Sequence, residues 1–77
     1  MQMAERPKLQ SVVIWIPPER IALFKAIVES YDNLVTLRTE DPHRHHLRLY
    51  FAADQSEDVE ALLAALAGQF PIRRIEQ

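Results

Sequence analysis

Between Ser11 and Arg20 lies the feature that most limits how this chain can fold: an uncharged run, Val12-Val13-Ile14-Trp15-Ile16, halted by Pro17-Pro18. An unbroken apolar stretch rich in β-branched side chains reads as a strand buried on both sides or nearly so, since a half-exposed strand alternates with polar residues. Pro17 has no N–H to give a sheet ladder. Pro18, with its φ already set, suits the first turn of a helix. A central strand over residues 9–16 followed at once by a helix is the frame into which every other segment must fit. Its alternation sends Val12, Ile14 and Ile16 to one face and Ser11, Val13 and Trp15 to the other.

The helix is expected over residues 18–31. At 100° per residue, Ile21, Leu23, Phe24, Ile27, Val28 and Tyr31 fall on one half of its wheel. Glu19 suits the positive end of the helix dipole, and Asp32-Asn33 supplies the stop. A second strand over 34–40 sets Val35, Leu37 and Thr39 against Thr36, Arg38 and Glu40. Asp41-Pro42 signals a turn, because Asp can accept bonds from the backbone two residues on and Pro presets its dihedral. The third strand, 45–51, alternates His45, Leu47, Leu49 and Phe51 with His46, Arg48 and Tyr50. So short a connection makes the pair an antiparallel hairpin, although no glycine sits at its tip. The second helix opens at Asp54 or Ser56, where Asp54 and Glu57 have capping-box spacing. Val59, Leu62, Leu63, Leu66 and Phe70 form its apolar stripe. Gly68, the only glycine, marks its end, and Pro71 forbids continuation. Residues 72–76 read as a short fourth strand or a loose tail, and Arg73-Arg74 there would suit a sheet edge, where charge discourages aggregation.

The order β-α-β-β-α-β implies an α+β, ferredoxin-like sandwich: four antiparallel strands, two helices on one face, and the first and third strands central. The 77 residues, 48% hydrophobic and 26% charged, read as one domain over 1–77 with a polar lead-in over 1–8. A domain this small buries only about 60% of its unfolded surface, which favours an oligomer or a bound partner. The net charge of −2 gives no general pull towards nucleic acid or anionic lipid. With no cysteine, disulfides and thiolate chemistry are excluded and a cytoplasmic setting is expected. No stretch reaches the ~18 apolar residues of a membrane span, and the first nine residues lack an apolar core of signal-peptide length.

The element order, together with Ile16-Pro17-Pro18-Glu19-Arg20-Ile21-Ala22 and Ala26-Ile27-Val28-Glu29-Ser30-Tyr31-Asp32, resembles a family of small uncharacterised bacterial domains of unknown function over nearly the whole chain. More loosely, the chain is similar to ACT domains, which share this strand order. That resemblance implies pairing into dimers and amino-acid binding at the interface, through a glycine-containing loop between the first strand and the first helix. Here that loop carries Pro17-Pro18.

Function is expected on the helix-free face of the sheet, where Val13 and Trp15 lie beside Arg48 and Tyr50, with Thr36 and Arg38 further out. Contiguous apolar patches mark interfaces, and aromatics and arginines anchor them, so Val13, Trp15, Arg48 and Tyr50 are the expected contact residues of a homodimer. RNA-recognition domains of this topology stack bases on the two central strands. Their glycine- and aromatic-rich third-strand signature is absent from His45-His46-Leu47-Arg48-Leu49-Tyr50-Phe51, and no nucleic-acid partner is expected. His43, His45 and His46 are imidazoles of metal-binding type, but in a strand His46 points away from the other two, so no metal site is expected. Asp54, Glu57, Asp58 and Glu60 are explained by the helix dipole. No nucleophile elbow, phosphate loop or facing acid pair is present. The expectation is a non-catalytic interaction and self-association module without a cofactor. The alternative is an ACT-like small-ligand regulatory domain, with a single-stranded nucleic-acid surface behind it.

Overall fold

In the computed structural model, which describes residues 8–31 and 34–75, the apolar run becomes β1 (Leu9–Trp15). Ile16 falls just past the strand but stays fully buried, and its N–H still points at the His45 carbonyl. The two prolines then turn the chain. Pro18–Arg20 is a 3-10 turn, closed by the Arg20 N–H on the Pro17 carbonyl at 2.9 Å, and α1 (Ile21–Glu29) follows. This helix is shorter than its sequence pattern suggests. The Ser30 hydroxyl donates to the Ile27 carbonyl at 2.6 Å, and the Ser30 and Tyr31 N–H groups bond three residues back instead of four. A side chain that competes for the last carbonyls tightens the final turn and ends the α geometry. The stop expected at Asp32-Asn33 lies outside the described residues.

A hairpin joins β2 (Thr36–Asp41) to β3 (His46–Ala52). Leu34 and Val35, expected in the strand, precede it and pack against the core. Thr39 faces Leu47 while Asp41 faces His46, so a bulge sits between Thr39 and Asp41. The Asp41 carboxylate accepts the N–H groups of His43 (3.0 Å) and Arg44 (3.2 Å). The chain re-enters the sheet through His45, outside β3, whose φ of 61° is left-handed. With no glycine to hand, a histidine takes the position that the turn needs at φ > 0, which His tolerates better than most side chains.

The second helix begins at Ser56, one of the two expected positions, but without the expected side-chain cap. Asp54 lies in a 3-10 turn (Ala53–Gln55), Gln55 is the N-cap of α2 (Ser56–Leu66), and no side chain caps it. The Asp54/Glu57 capping box does not form, because the backbone does the work: the Ser56 N–H bonds to the Ala53 carbonyl. At the other end Gly68 keeps an ordinary negative φ, and the Gln69 and Phe70 N–H groups both reach the Leu66 carbonyl at 2.8 Å. Finally β4 (Arg73–Ile75) pairs antiparallel with β1. The sheet order is β2-β3-β1-β4, with β1 and β3 central.

Both helices lie on the face formed by Val12, Ile14 and Ile16 of the first segment and Leu47, Leu49 and Phe51 of β3. The core there is wholly apolar, with no buried polar or charged residue among those described. Phe24 of α1 and Phe70 after α2 meet edge to face, with centroids 5.6 Å apart. Arg20 seals this end of the core: its guanidinium lies 5.1 Å from the Phe70 ring centre and donates to the Gln69 carbonyl at 2.9 Å. The α2 stripe is buried as its spacing implies. The α1 stripe is wider than the sheet can cover: Leu23 is 54% and Tyr31 47% exposed. Leu23 is rotated 100° from the central Phe24, and Tyr31 falls beyond the last helical residue.

Candidate interaction surface

Strand alternation and register build the helix-free face in cross-strand rows. Ser11 lies beside Tyr50 and Thr36; Val13 lies between Arg48, with Arg38 beyond it, and Ile75; Trp15 lies between His46 and Arg73. Cross-strand partners share a face, so Val13, Trp15, Arg48 and Tyr50 are together as expected. Trp15, Arg48 and Tyr50 are half-buried. Val13 is only 2% exposed within the single chain.

Arg48 is the hub of the face. Its Nε and Nη2 donate to the two Glu40 carboxylate oxygens at 2.9 and 3.1 Å, and its Nη1 donates to Ser11 Oγ at 2.7 Å. One guanidinium therefore ties β2, β3 and β1 together in the fork geometry that only arginine supplies. The hydrogen bond to Arg48 lowers the Glu40 pKa below its ordinary value, and its counterpart raises that of Arg48. At the other end of the face the Arg73 guanidinium lies 5.4 Å from the Trp15 ring centre, a cation–π contact.

Arg73, Ser11 and Glu40 are members that sequence reasoning left without a role here. Arg73 was legible only as edge-strand charge. The signal for its contact was the topology itself, since an antiparallel fourth strand beside the first carries Arg73 to Trp15. The pairing of Glu40 with Arg48 has no comparable signal, because it depends on the bulge.

The face is also electrostatically distinct. Among the described residues Arg38, Arg48 and Arg73 stand on it against Glu40 and, at its hairpin end, Asp41. On the helical side Glu19, Glu29, Asp54, Glu57, Asp58 and Glu60 outnumber Arg20, Lys25 and Arg74, and Arg74 is paired with Glu60. A net charge near zero thus conceals two unlike surfaces. His43 and His45 lie in the hairpin turn while His46 stands on the strand, and among the described residues no three His, Asp or Glu side chains could together hold a metal ion. In the segment between β1 and α1 Pro17 is buried, and Arg20 ties the segment to the chain beyond α2 through the Gln69 carbonyl.

These features define a small α+β domain of ferredoxin-like topology whose distinctive surface is an arginine-braced, aromatic sheet face. Residues 14–69 match the model of the family described as domain of unknown function (DUF4911), and the chain belongs to that family. No curated protein and no solved structure matches it. The matched span includes Trp15, Arg48 and Tyr50 and ends before β4. Among the described residues no helix is long and apolar enough to cross a membrane.

Proposed function

We propose that this domain is a non-catalytic interaction module that self-associates as a homodimer through its helix-free sheet face. The observation that supports the reading is the state of Arg48. It is fixed by Glu40 and Ser11 before any partner arrives, so docking on this face loses little side-chain freedom. Around it stand Trp15, Tyr50 and Arg73, the residue types that dominate interface energies. A two-fold axis through the face sets the Arg48–Glu40 pair of one copy against the same pair of the other in reversed sense, so that cation meets carboxylate. Val13 contributes nothing further, being already buried. Trp15 and Tyr50 each keep at most about a third of their surface exposed; covering it, roughly 80 Å² or less apiece, is worth up to about 2 kcal/mol per ring at ~25 cal/mol per Å² before association costs.

Sedimentation of the wild type at micromolar concentration is expected to give twice the chain mass. Trp15→Glu, with its far-ultraviolet circular dichroism unchanged, is expected to give the monomer. A wild type that sediments as a monomer refutes the reading. The same surface is proposed to take no nucleic acid, since two of its polar anchors are already satisfied within the chain. Salt-sensitive binding of a labelled single-stranded oligonucleotide, lost on Trp15→Ala, is the contrary result.

A further inference from the structure

The helical side carries a second surface, whose main hollow shares no lining residue with the expected contacts of the sheet face. An open trough of about 570 Å³ runs along α2 beside the end of α1. Tyr31, Leu34, Ala61, Leu62 and Ala65 give it an apolar lining, interrupted by the polar side chains of Gln55 and Asp58. Through Leu34 and Gln55 it continues into a second hollow of about 260 Å³ that reaches Leu9 and Tyr50. Small-molecule sites enclose most of their ligand. A long trough open to solvent instead suits a polypeptide segment.

Three observations select the kind of segment. Asp58, Ala61 and Ala65 lie on one side of α2 over two turns, about 10 Å, the repeat at which a helix laid alongside places its own anchors. The alanines leave no side chain to hold a second backbone away, so helices can approach to the ordinary 8–10 Å. Tyr31 is 47% exposed beside them, an amphipathic ring of the kind that anchors interfaces. Charge settles the rest. Among the described residues no lysine, arginine or histidine pairs with Asp54, Glu57 or Asp58, whereas Glu60 on the same helix is held by Arg74. The trough thus has an apolar lining that carries Asp58, with Asp54 and Glu57 near it in the chain and no cationic side chain paired with any of the three among the described residues.

We infer that this trough docks a basic amphipathic helix from a partner protein, its apolar stripe seated on Ala61, Leu62 and Ala65 against Tyr31 and its lysines or arginines facing Asp58 and its neighbours. The proposal does not rest on the sheet-face dimer, because none of that face's expected contact residues lines the trough itself.

The probe is a fluorescein-labelled 14-residue peptide of leucine and lysine, with leucines at helical spacing on one side. Controls are a peptide of the same composition with the leucine stripe scrambled, and one with glutamate for lysine. Fluorescence anisotropy on the full chain is expected to show the patterned lysine peptide binding at least tenfold tighter than either control. Ala61→Arg and Asp58→Lys, both at exposed positions, are each expected to weaken it at least tenfold, while Trp15→Glu leaves it unchanged. Amide chemical-shift changes on the wild type are expected at Tyr31, Ala61 and Ala65, which decides the matter even if a variant folds poorly. Equal affinity for the scrambled peptide, indifference to Ala61→Arg, or shifts centred on Trp15 and Tyr50 each overturn the proposal.

Discussion

The two faces of one sheet bury their central residues by opposite means. Ile14, beneath the helices, is sealed by hydrocarbon alone. Val13, its neighbour in β1, is 2% exposed although no helix lies over its face. It stands between Arg48 and Ile75 on the flanking strands, with Trp15 two residues along. Long side chains whose stems lie along apolar surface while their charged heads reach other partners can dry a residue as a second layer would. The difference matters for reading function. Burial of an outward-facing valine does not require a missing partner. What a partner gains on this face is the part of the aromatic rings left exposed, at most about a third of each, beside Arg48 and Arg73 already held in place.

Mutation separates the two means of burial, and the largest effect belongs to the helix-covered face. Phe24→Ala removes one ring of the edge-to-face pair with Phe70 and is expected to cost about 3–5 kcal/mol. Val13→Ala is expected to cost less, about 1–2 kcal/mol, because flexible arginine and tryptophan side chains can settle into the space. Urea denaturation measures both. If Val13→Ala costs as much as Phe24→Ala, the outer face is packed as rigidly as the core and the contrast drawn here is wrong.

How far the sequence reveals all this depends on how local each interaction is. Periodicity is a property of one segment, so the strands, the α2 stripe and the ferredoxin-like order were legible from residues such as Ile14, Leu49 and Leu62. Termini were less so. Asp54 and Glu57 have the spacing of a capping box, but a 3-10 turn offered the backbone a competing donor–acceptor pair, and spacing alone cannot rank the two. Leu23 and Tyr31 fit the apolar half of a wheel, yet how much of that half a four-stranded sheet covers is a tertiary property. On the sheet face the membership of Val13, Trp15, Arg48 and Tyr50 followed from alternation. The contacts that brace it, Arg48 with Glu40 and Arg73 with Trp15, depend on a bulge and on the register of a three-residue strand. The trough is less legible still, since it is assembled from α2, the end of α1 and the start of the hairpin.

The hairpin that distributes residues between the two faces offers a smaller effect of opposite sign. His45 holds a φ of 61°, which costs an L-residue roughly 1–2 kcal/mol, against the 0.5–1 kcal/mol that glycine's unfolded-state freedom costs. His45→Gly is therefore expected to stabilise by about 0.5–1 kcal/mol, and His45→Val to destabilise, with Trp15 and Tyr50 keeping their face. Denaturation midpoints check the energies, and cross-strand amide and Hα contacts between β1 and β3 check the register. Loss of stability in the glycine variant shows that the His45 side chain does something other than tolerate the turn.

The smallest expected effect tests the bracing of the outer face directly. Arg48 bonds to Glu40 and so lowers the Glu40 pKa in the folded chain. A group whose folded pKa is depressed contributes stability that is fully present above its unfolded value, near 4.3 for glutamate, and is lost as pH falls through the folded value. The contribution is therefore present at neutral pH and disappears only in acid, from about pH 4 downwards. The pair is partly solvated and screened, so the slope is small. It is isolated by comparison: wild type and Glu40→Gln are titrated by denaturation between pH 7 and pH 2, and their stability difference should shrink as pH falls. Glutamine keeps one acceptor for Arg48 but cannot titrate. High salt should reduce the difference at pH 7. The hydrocarbon core under the helices has no counterpart, so Phe24→Ala should lose the same stability at every pH. If the wild type and Glu40→Gln stay parallel down to pH 2, the Arg48–Glu40 bonds do not persist in solution, and the outer face is covered by mobile side chains rather than a fixed brace.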